Sequence, residues 1–116
     1  MFKKFCMAKI HRATIKKKDI EYKGSIGIDK ALLGKSGILP DEMVLVLNYN
    51  NGVRFETYVI EEEEGSGLIA LYGPAAKLGE IGDEVIIISS AYLTPEEAQK
   101  HTIKVLKVDN KNQVVD

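Results

Sequence analysis

The 116-residue sequence has no tryptophan, one cysteine and almost no net charge. Since Cys6 is the only cysteine, no intramolecular disulfide can form, which favours a reducing compartment. No apolar run approaches the roughly 20 residues of a membrane-spanning helix, and none resembles a signal peptide. A net charge of −1, from 16 basic and 17 acidic residues, provides no field for nucleic acid or anionic membranes. The sequence therefore predicts a cytoplasmic protein without nucleic-acid or membrane partners, and it contains no phosphate-binding loop or metal-ligating cluster.

Without tryptophan, the core must be aliphatic, and the aliphatic residues are arranged as strands. Residues 43–47 and 85–88 are short apolar runs rich in branched side chains, typical of buried strands. Asn51-Gly52 lies between residues 45–47 and residues 55–58 and predicts a β-hairpin there, because both residues of the pair tolerate positive φ. Residues 103–108 predict a further strand.

The helices are expected to be short. Thr94-Pro95-Glu96-Glu97 combines an N-cap, a proline at the first helical position and a glutamate three residues after the cap. Asp29 is a candidate N-cap for another helix that ends near Gly34 or Gly37. The length of 116 residues corresponds to one domain, so we expect a single mainly β domain over residues 1–116.

One internal repeat is visible. Residues 39–46 match residues 81–88 at an offset of 42 positions, and each copy follows a short helical stretch. Two such halves would pack about a pseudo-two-fold axis and share one core. The repeat is consistent with a closed six-stranded barrel, although an acidic turn before a strand is also a common local pattern.

The dipeptide Gly24-Ser25 is the main candidate for chemistry. A serine hydroxyl can attack the carbonyl carbon of the preceding residue, and glycine leaves that carbonyl uncrowded. By itself the pair is a weak signal, since Gly65-Ser66 occurs in the same chain and reads as a turn. The other segments of the sequence distinguish Gly24-Ser25 from such a turn.

Two other segments accompany it. In Lys9-Ile10-His11-Arg12, the lysine and the histidine are two apart and share one face of an extended strand. In the predicted strand that begins at Arg54, Tyr58 lies on the same face as Arg54, whereas Thr57 points to the other. Arg54 suits bidentate binding of a carboxylate, and the Tyr58 hydroxyl is a candidate proton donor. An ordinary surface strand would show the same alternation.

Taken together, these segments resemble the pyruvoyl-dependent aspartate 1-decarboxylases over about residues 7–92. The resemblance implies a six-stranded double-psi β-barrel. It also implies that the chain cuts itself between Gly24 and Ser25 into residues 1–24 and 25–116. Attack by the Ser25 hydroxyl would move the Gly24 acyl group from nitrogen to oxygen, and the resulting ester would eliminate to dehydroalanine. Hydrolysis would then release ammonia and leave a pyruvoyl group at position 25. This group is the implied cofactor, and it binds the substrate amine as a Schiff base.

The implied reaction is decarboxylation of L-aspartate to β-alanine and CO2 for pantothenate and coenzyme A synthesis, in a homotetramer with sites between subunits. The implied roles are Ser25 as pyruvoyl precursor, Tyr58 as proton donor, and His11 and Thr57 as supports of cleavage at Gly24. The residues expected to bind substrate are Lys9, Arg54, Thr57, Gly73, Pro74 and Ala75. Tyr22 and Tyr72 resemble further pocket positions. Because Thr57 points away from Tyr58 in a regular strand, a bulge or a neighbouring subunit would have to bring it in.

The sequence departs from the family at residues 72–76, where members usually read Asn-Gly-Ala-Ala-Ala. Tyr72 replaces the amide, and Pro74 removes one backbone donor. We expect the Tyr72 ring to turn aside or its hydroxyl to substitute for the amide. Two alternatives stay open on the sequence: the same chemistry on another acidic amino acid such as glutamate, and a non-enzymatic double-psi barrel that binds a ligand or partner.

Overall fold

The computed structural model describes residues 1–115 and confirms a mainly β fold with short helices. The strands are β1 (Lys3–Thr14), β2 (Lys17–Asp19), β3 (Ser25–Asp29), β4 (Met43–Asn48), β5 (Arg54–Glu62), β6 (Ile69–Tyr72), β7 (Glu84–Leu93) and β8 (Lys104–Lys107). The helices are α1 (Lys30–Ser36), α2 (Pro95–Gln99) and a 3₁₀ helix, Gly73–Lys77. Among these helices of the described chain, none has the length and apolar character needed to cross a membrane.

The strands form one sheet in the order β2-β6-β3-β5-β4-β7-β1-β8. The eight strands exceed the six that the resemblance implies, and the two at the ends of the order have only three and four residues. β1 pairs with β7, and β2, which follows it almost directly in the chain, pairs with β6. The segment 3–19 therefore contacts strands near both ends of the order, as a barrel requires.

The strand registers confirm the predicted pseudo-two-fold relation. β4 and β7 are antiparallel neighbours, with Leu45 opposite Ile88 and Val46 opposite Ile87. Moving every residue by the 42 positions of the repeat exchanges these two pairs with each other. The same shift maps the β3–β6 register onto itself, and it relates the parallel pair β3–β5 to the parallel pair β2–β6 with a register difference of two residues. The repeat is thus a property of the sheet as well as of the sequence.

The interior is aliphatic, as expected in the absence of tryptophan. The largest fully buried side chains are Ile10, Ile15, Ile26, Ile28, Leu32, Ile38, Ile69, Leu71, Ile87, Val44, Val46 and Val59. Each contributes roughly 1.5–3 kcal/mol of transfer free energy when it leaves water. Because β3 and β6 supply several of these residues, the strand that begins at Ser25 is anchored in the core.

The predicted caps and hairpin are confirmed. The Asp29 carboxylate accepts hydrogen bonds from Ala31 N, Gly65 N and Gly67 N, so it starts α1 and also fixes the 65–67 turn. α1 ends at Gly37, whose φ of 82° is left-handed. Thr94 forms a capping box at the start of α2. β4 and β5 pair across the turn that contains Gly52, with φ of 75°, which places Arg54 at the start of β5.

Candidate active site

Ser25 lies where an exposed loop enters the centre of the sheet. It is the first residue of β3, is 0% exposed, and its hydroxyl donates to the Lys23 carbonyl at 3.3 Å. β3 pairs with β5 on one side and with β6 on the other, where Ser25 is opposite Tyr72. The Gly24–Ser25 peptide therefore joins an exposed segment to a strand whose position is fixed on both sides.

The backbone of Gly24 is packed directly against that of Gly73. Gly73 has a φ of 64°, and a Cβ added there would lie 2.7 Å from Gly24 Cα and from Gly24 N. A Cβ added at Gly24 would lie 3.1 Å from Cδ of Pro74. Gly73 is thus required by the close approach of its backbone to that of Gly24 and by its left-handed conformation, whereas a Cβ at Gly24 would need Pro74 to shift by a few tenths of an ångström.

A cavity of about 280 Å³ opens beside the Gly24–Ser25 peptide. Its lining consists of Gly24, Phe55, Glu56, Thr57, Pro74, Ala75 and Leu78. Since a water molecule occupies about 30 Å³ in the liquid, this volume accommodates a small amino acid or several waters. The structure thus gathers Thr57, Pro74 and Ala75 next to the predicted cleavage bond.

Thr57 reaches this cavity without either of the devices expected for it. The β4–β5 register runs without a shift past Thr57, which is opposite Val44. Thr57 shares the inward face of β5 with Phe55 and Val59, which pack in the core. No bulge between β4 and β5 and no second subunit is needed to place Thr57 beside Gly24.

Arg54 and Tyr58 lie on the other, outward face of β5, and neither lines the cavity. Lys9 is also outside it. The strand registers give its distance from β5. Lys9 on β1 is opposite Ile88 on β7, and Ile88 is opposite Leu45 on β4. Leu45 in turn is opposite Glu56 on β5. Three interstrand steps of about 4.8 Å separate Lys9 from β5, or roughly 14 Å. Extending the β3–β5 register back by one residue from the Ile26–Val59 pair places Tyr58 beside Ser25. Lys9 and Arg54, by contrast, are not brought together with Ser25 within one chain.

His11 lies at an irregularity of β1. The β1–β7 register shifts between Ile10 and Ala13, and Arg12 within the shift has a left-handed φ of 60°. The His11 ring meets the edge of Tyr49 at 6.5 Å between centroids, and the Arg12 guanidinium lies 4.3 Å over the same ring. Nothing in the sequence indicates this bulge, because arginine carries no local preference for positive φ.

Tyr72 is opposite Ser25 in the β3–β6 pair, and its side chain is held by Glu62 and Tyr22. Its hydroxyl donates to Oε2 of Glu62 at 2.5 Å, and its ring packs on Tyr22 at 4.8 Å between centroids. Burial of the ring, and then the hydrogen bond to the Glu62 carboxylate, raise the pKa of Tyr72 far above its ordinary value. The hydroxyl thus bonds to Glu62 instead of substituting for the amide at the cleavage segment, and Glu62 is a residue near the site that sequence reasoning missed.

Comparison with known proteins identifies the family of this chain. The family model described as Aspartate decarboxylase matches residues 1–115. The chain belongs to the aspartate decarboxylase family. It is 51% identical to the aspartate 1-decarboxylase of Kosmotoga olearia, over 100% of this chain and 99% of the relative. It is 50% identical to the aspartate 1-decarboxylase of Carboxydothermus hydrogenoformans, over 99% of this chain and 91% of the relative. It is 52% identical to that of Chloroherpeton thalassium, over 91% of this chain and 78% of the relative.

Membership of this family confirms the resemblance and the prediction of an enzyme. The roles of individual residues remain predictions that rest on where the structure places them. Gly24, Ser25, Thr57, Gly73, Pro74 and Ala75 form one cluster within the chain. Tyr58 does not line the cavity but is beside Ser25 in the β3–β5 register, whereas Lys9, His11 and Arg54 lie outside the cluster.

Proposed function

We propose that this protein decarboxylates L-aspartate to β-alanine and CO2, using a pyruvoyl group formed from Ser25. The observation that carries the proposal is the Gly24–Ser25 peptide, packed on Gly73 and Pro74 beside a small cavity. The product would serve pantothenate and coenzyme A synthesis in the cytoplasm. The relatives named above carry the name of this activity.

The residues around position 25 fit such a group. Ser25 is fully buried, its hydroxyl has a hydrogen-bond partner, and no side chain at Gly24 obstructs the carbonyl to be attacked. When formed, the group supplies an electron-withdrawing ketone that binds the substrate amine as a Schiff base. The protein's part is to fix the peptide, exclude bulk water and bind the carboxylates of aspartate.

The positions of Lys9 and Arg54 lead us to propose that a second subunit completes each site. These side chains share an outward sheet face whose centre is apolar and partly exposed, consisting of Met43, Leu45, Leu47, Ile86 and Ile88. In an assembly of the expected homotetramer kind, this face of one subunit would meet the cavity of the next. Lys9 and Arg54 would then bind carboxylates, and Tyr58 would deliver a proton.

Intact mass of the purified protein tests self-cleavage. We expect two fragments, residues 1–24 and 25–116, with the larger fragment blocked at its N-terminus. Ser25→Ala removes the attacking hydroxyl and should give one uncut chain with no release of CO2 from aspartate. A wild-type chain that stays uncut after prolonged warming would contradict the proposal.

Complementation tests the shared site. Ser25→Ala and Arg54→Ala should each show little activity at low aspartate concentration, but their co-expressed mixture should regain activity. If subunits mix at random in a symmetric assembly, about a quarter of the sites combine a processed Ser25 with an intact Arg54. The double variant co-expressed with Ser25→Ala is the control, because it offers no processed position 25. A mixture as inactive as its components would place each site within one chain.

The choice between aspartate and glutamate is tested by measuring CO2 release from both. The cavity of about 280 Å³ favours the shorter substrate. Higher kcat/KM for glutamate would overturn this choice while leaving the self-cleavage proposal intact.

A further inference from the structure

Glu62 spans three strands of the sheet. It belongs to β5, yet its carboxylate crosses over β3 at Gly27 and accepts a hydrogen bond from Tyr72 at the end of β6. A Cβ at position 27 would collide with the Glu62 carboxylate, so the crossing depends on a glycine there. Gly27 lies two residues after Ser25 in the same strand.

Tyr72 is the first of three consecutive residues that contact the cleavage segment. Its ring packs on Tyr22, and its backbone is opposite Ser25 in the β3–β6 pair. Gly73, which follows, packs against the backbone of Gly24 and lies close to the Tyr22 carbonyl. The segment 72–74 thus contacts both sides of the Gly24–Ser25 peptide.

We propose that Glu62 is a positioning residue for self-cleavage, which acts by holding Tyr72 and, through it, the segment 72–74 against the cleavage bond. This inference rests on the proposed function. The carboxylate is well suited to the task, because hydrogen bonds to ionised acceptors are shorter and stronger than neutral ones. The tyrosine is only 5% exposed, so loss of its acceptor would leave a buried hydroxyl unsatisfied.

The consequence is a link between β5 and the cleavage strand that backbone pairing alone does not supply. β5 and β6 are not neighbours in the sheet, since β3 lies between them. The Glu62–Tyr72 hydrogen bond is a direct side-chain connection across that gap. The Tyr72 phenol is protonated at neutral pH and can act as the donor, and burial, with the hydrogen bond to Glu62, raises its pKa further above that range.

The test compares the rate of self-cleavage, followed by intact mass, in Glu62→Ala, Glu62→Gln and wild type. A hydrogen bond to a charged group is worth about a factor of ten or more, so Glu62→Ala should slow cleavage about tenfold. Glu62→Gln keeps an acceptor oxygen and should restore much of the rate. Glu61→Ala is the matched control, because Glu61 is the neighbouring carboxylate of β5, is exposed and has no contact with Tyr72.

A double-variant cycle distinguishes positioning from general loss of stability. Tyr72→Phe should slow cleavage about as much as Glu62→Ala, and the double variant should be no slower than either, because both remove one interaction. Gly27→Ala should act in the same direction by displacing the carboxylate. If Glu62→Ala does not fold, Tyr72→Phe and Glu62→Gln still decide the question.

The outcomes separate this inference from the proposed function. Additive slowing, wild-type cleavage in Tyr72→Phe, or wild-type cleavage in a folded Glu62→Ala would overturn the role of Glu62 while self-cleavage of the wild type stands. An uncut wild type would overturn the proposed function, and with it this inference.

Discussion

Replacing Gly73 by alanine should disturb the cleavage bond more than the fold. The substitution adds one methyl group to a residue with φ of 64°, and that methyl would lie 2.7 Å from two backbone atoms of Gly24 and 2.9 Å from the Tyr22 carbonyl oxygen. All three atoms belong to the backbone and cannot move aside as a flexible side chain would. The strain must therefore move the segment 22–24 or the segment 73–74.

The magnitude follows from two contributions. A left-handed conformation costs an L-residue roughly 1–2 kcal/mol, and overpacking by a methyl group costs about 1–3 kcal/mol. Their sum, about 2–5 kcal/mol, is below the 5–15 kcal/mol stability typical of a domain, so Gly73→Ala should still fold. Restoring an ordinary contact of 3.4 Å requires a shift of about 0.7 Å, and a 1 Å misplacement can cost roughly a hundredfold in rate. We expect cleavage to slow by at least about tenfold.

Two measurements check this reasoning. Urea unfolding should be compared in the uncut Ser25→Ala background, so that cleavage does not alter the reference state, and intact mass should follow cleavage in the wild-type background. Gly34→Ala is the control, because Gly34 lies within α1 with no atom within 4 Å of its added Cβ. It should be neutral or slightly stabilising. If Gly73→Ala cleaved at the wild-type rate, close packing of Gly73 on Gly24 would have no part in positioning the bond.

Three further predictions follow. Arg54→Ala should leave self-cleavage intact but raise the KM for aspartate, since a charge pair in a closed site is worth about 2–5 kcal/mol. Arg54→Lys should recover only part of the affinity for aspartate. An unchanged KM in Arg54→Ala would remove Arg54 from the site. Tyr58→Phe should also be cut normally yet lose CO2 release, and full activity would mean that another group delivers the proton. The hydrogen bond from Asn48, and then that from Glu80 N, lower the pKa of Asp83 below its usual 3.8. This stabilisation is fully present above the ordinary pKa of 3.8 and is lost as the pH falls through the lowered pKa. Asp83→Asn should therefore flatten the acid end of the plot of unfolding free energy against pH. An acid slope equal to that of the wild type would show that Asp83 makes no such contribution.

Several features of the fold were predictable because their causes are local. The caps at Asp29 and Thr94 and the turn at Gly52 each depend on side chains or backbone freedom within a few residues. The repeat at an offset of 42 positions predicted the two-fold relation, because equivalent segments bury equivalent faces. The strand predicted at residues 103–108 is found as β8, whereas β2 has only three residues and is too short to show a periodic pattern.

For the candidate site too, the features encoded in local sequence were predictable and the tertiary arrangement of the side chains was not. The order and spacing of Gly24-Ser25, Lys9 to Arg12 and Arg54 to Tyr58 were sufficient to indicate the family, which the comparisons confirm. They were insufficient to say which of these side chains meet within one chain. Alternation along β5 separated Thr57 from Tyr58 correctly, but it could not tell which face carried the cavity.

By itself, the sequence determined the class of fold, the helix caps, the repeat and the position of the candidate cleavage bond, because each is encoded in neighbouring residues or in a regular spacing. Only the tertiary structure decided that Gly73 packs on Gly24, that Thr57 lines the cavity and that Glu62 reaches Tyr72 across Gly27. These contacts join residues from 10 to 49 positions apart, and Glu62 and Tyr72 belong to strands that are not neighbours in the sheet. They depend on strand order and register, which the packing of the whole aliphatic core selects and no single segment specifies.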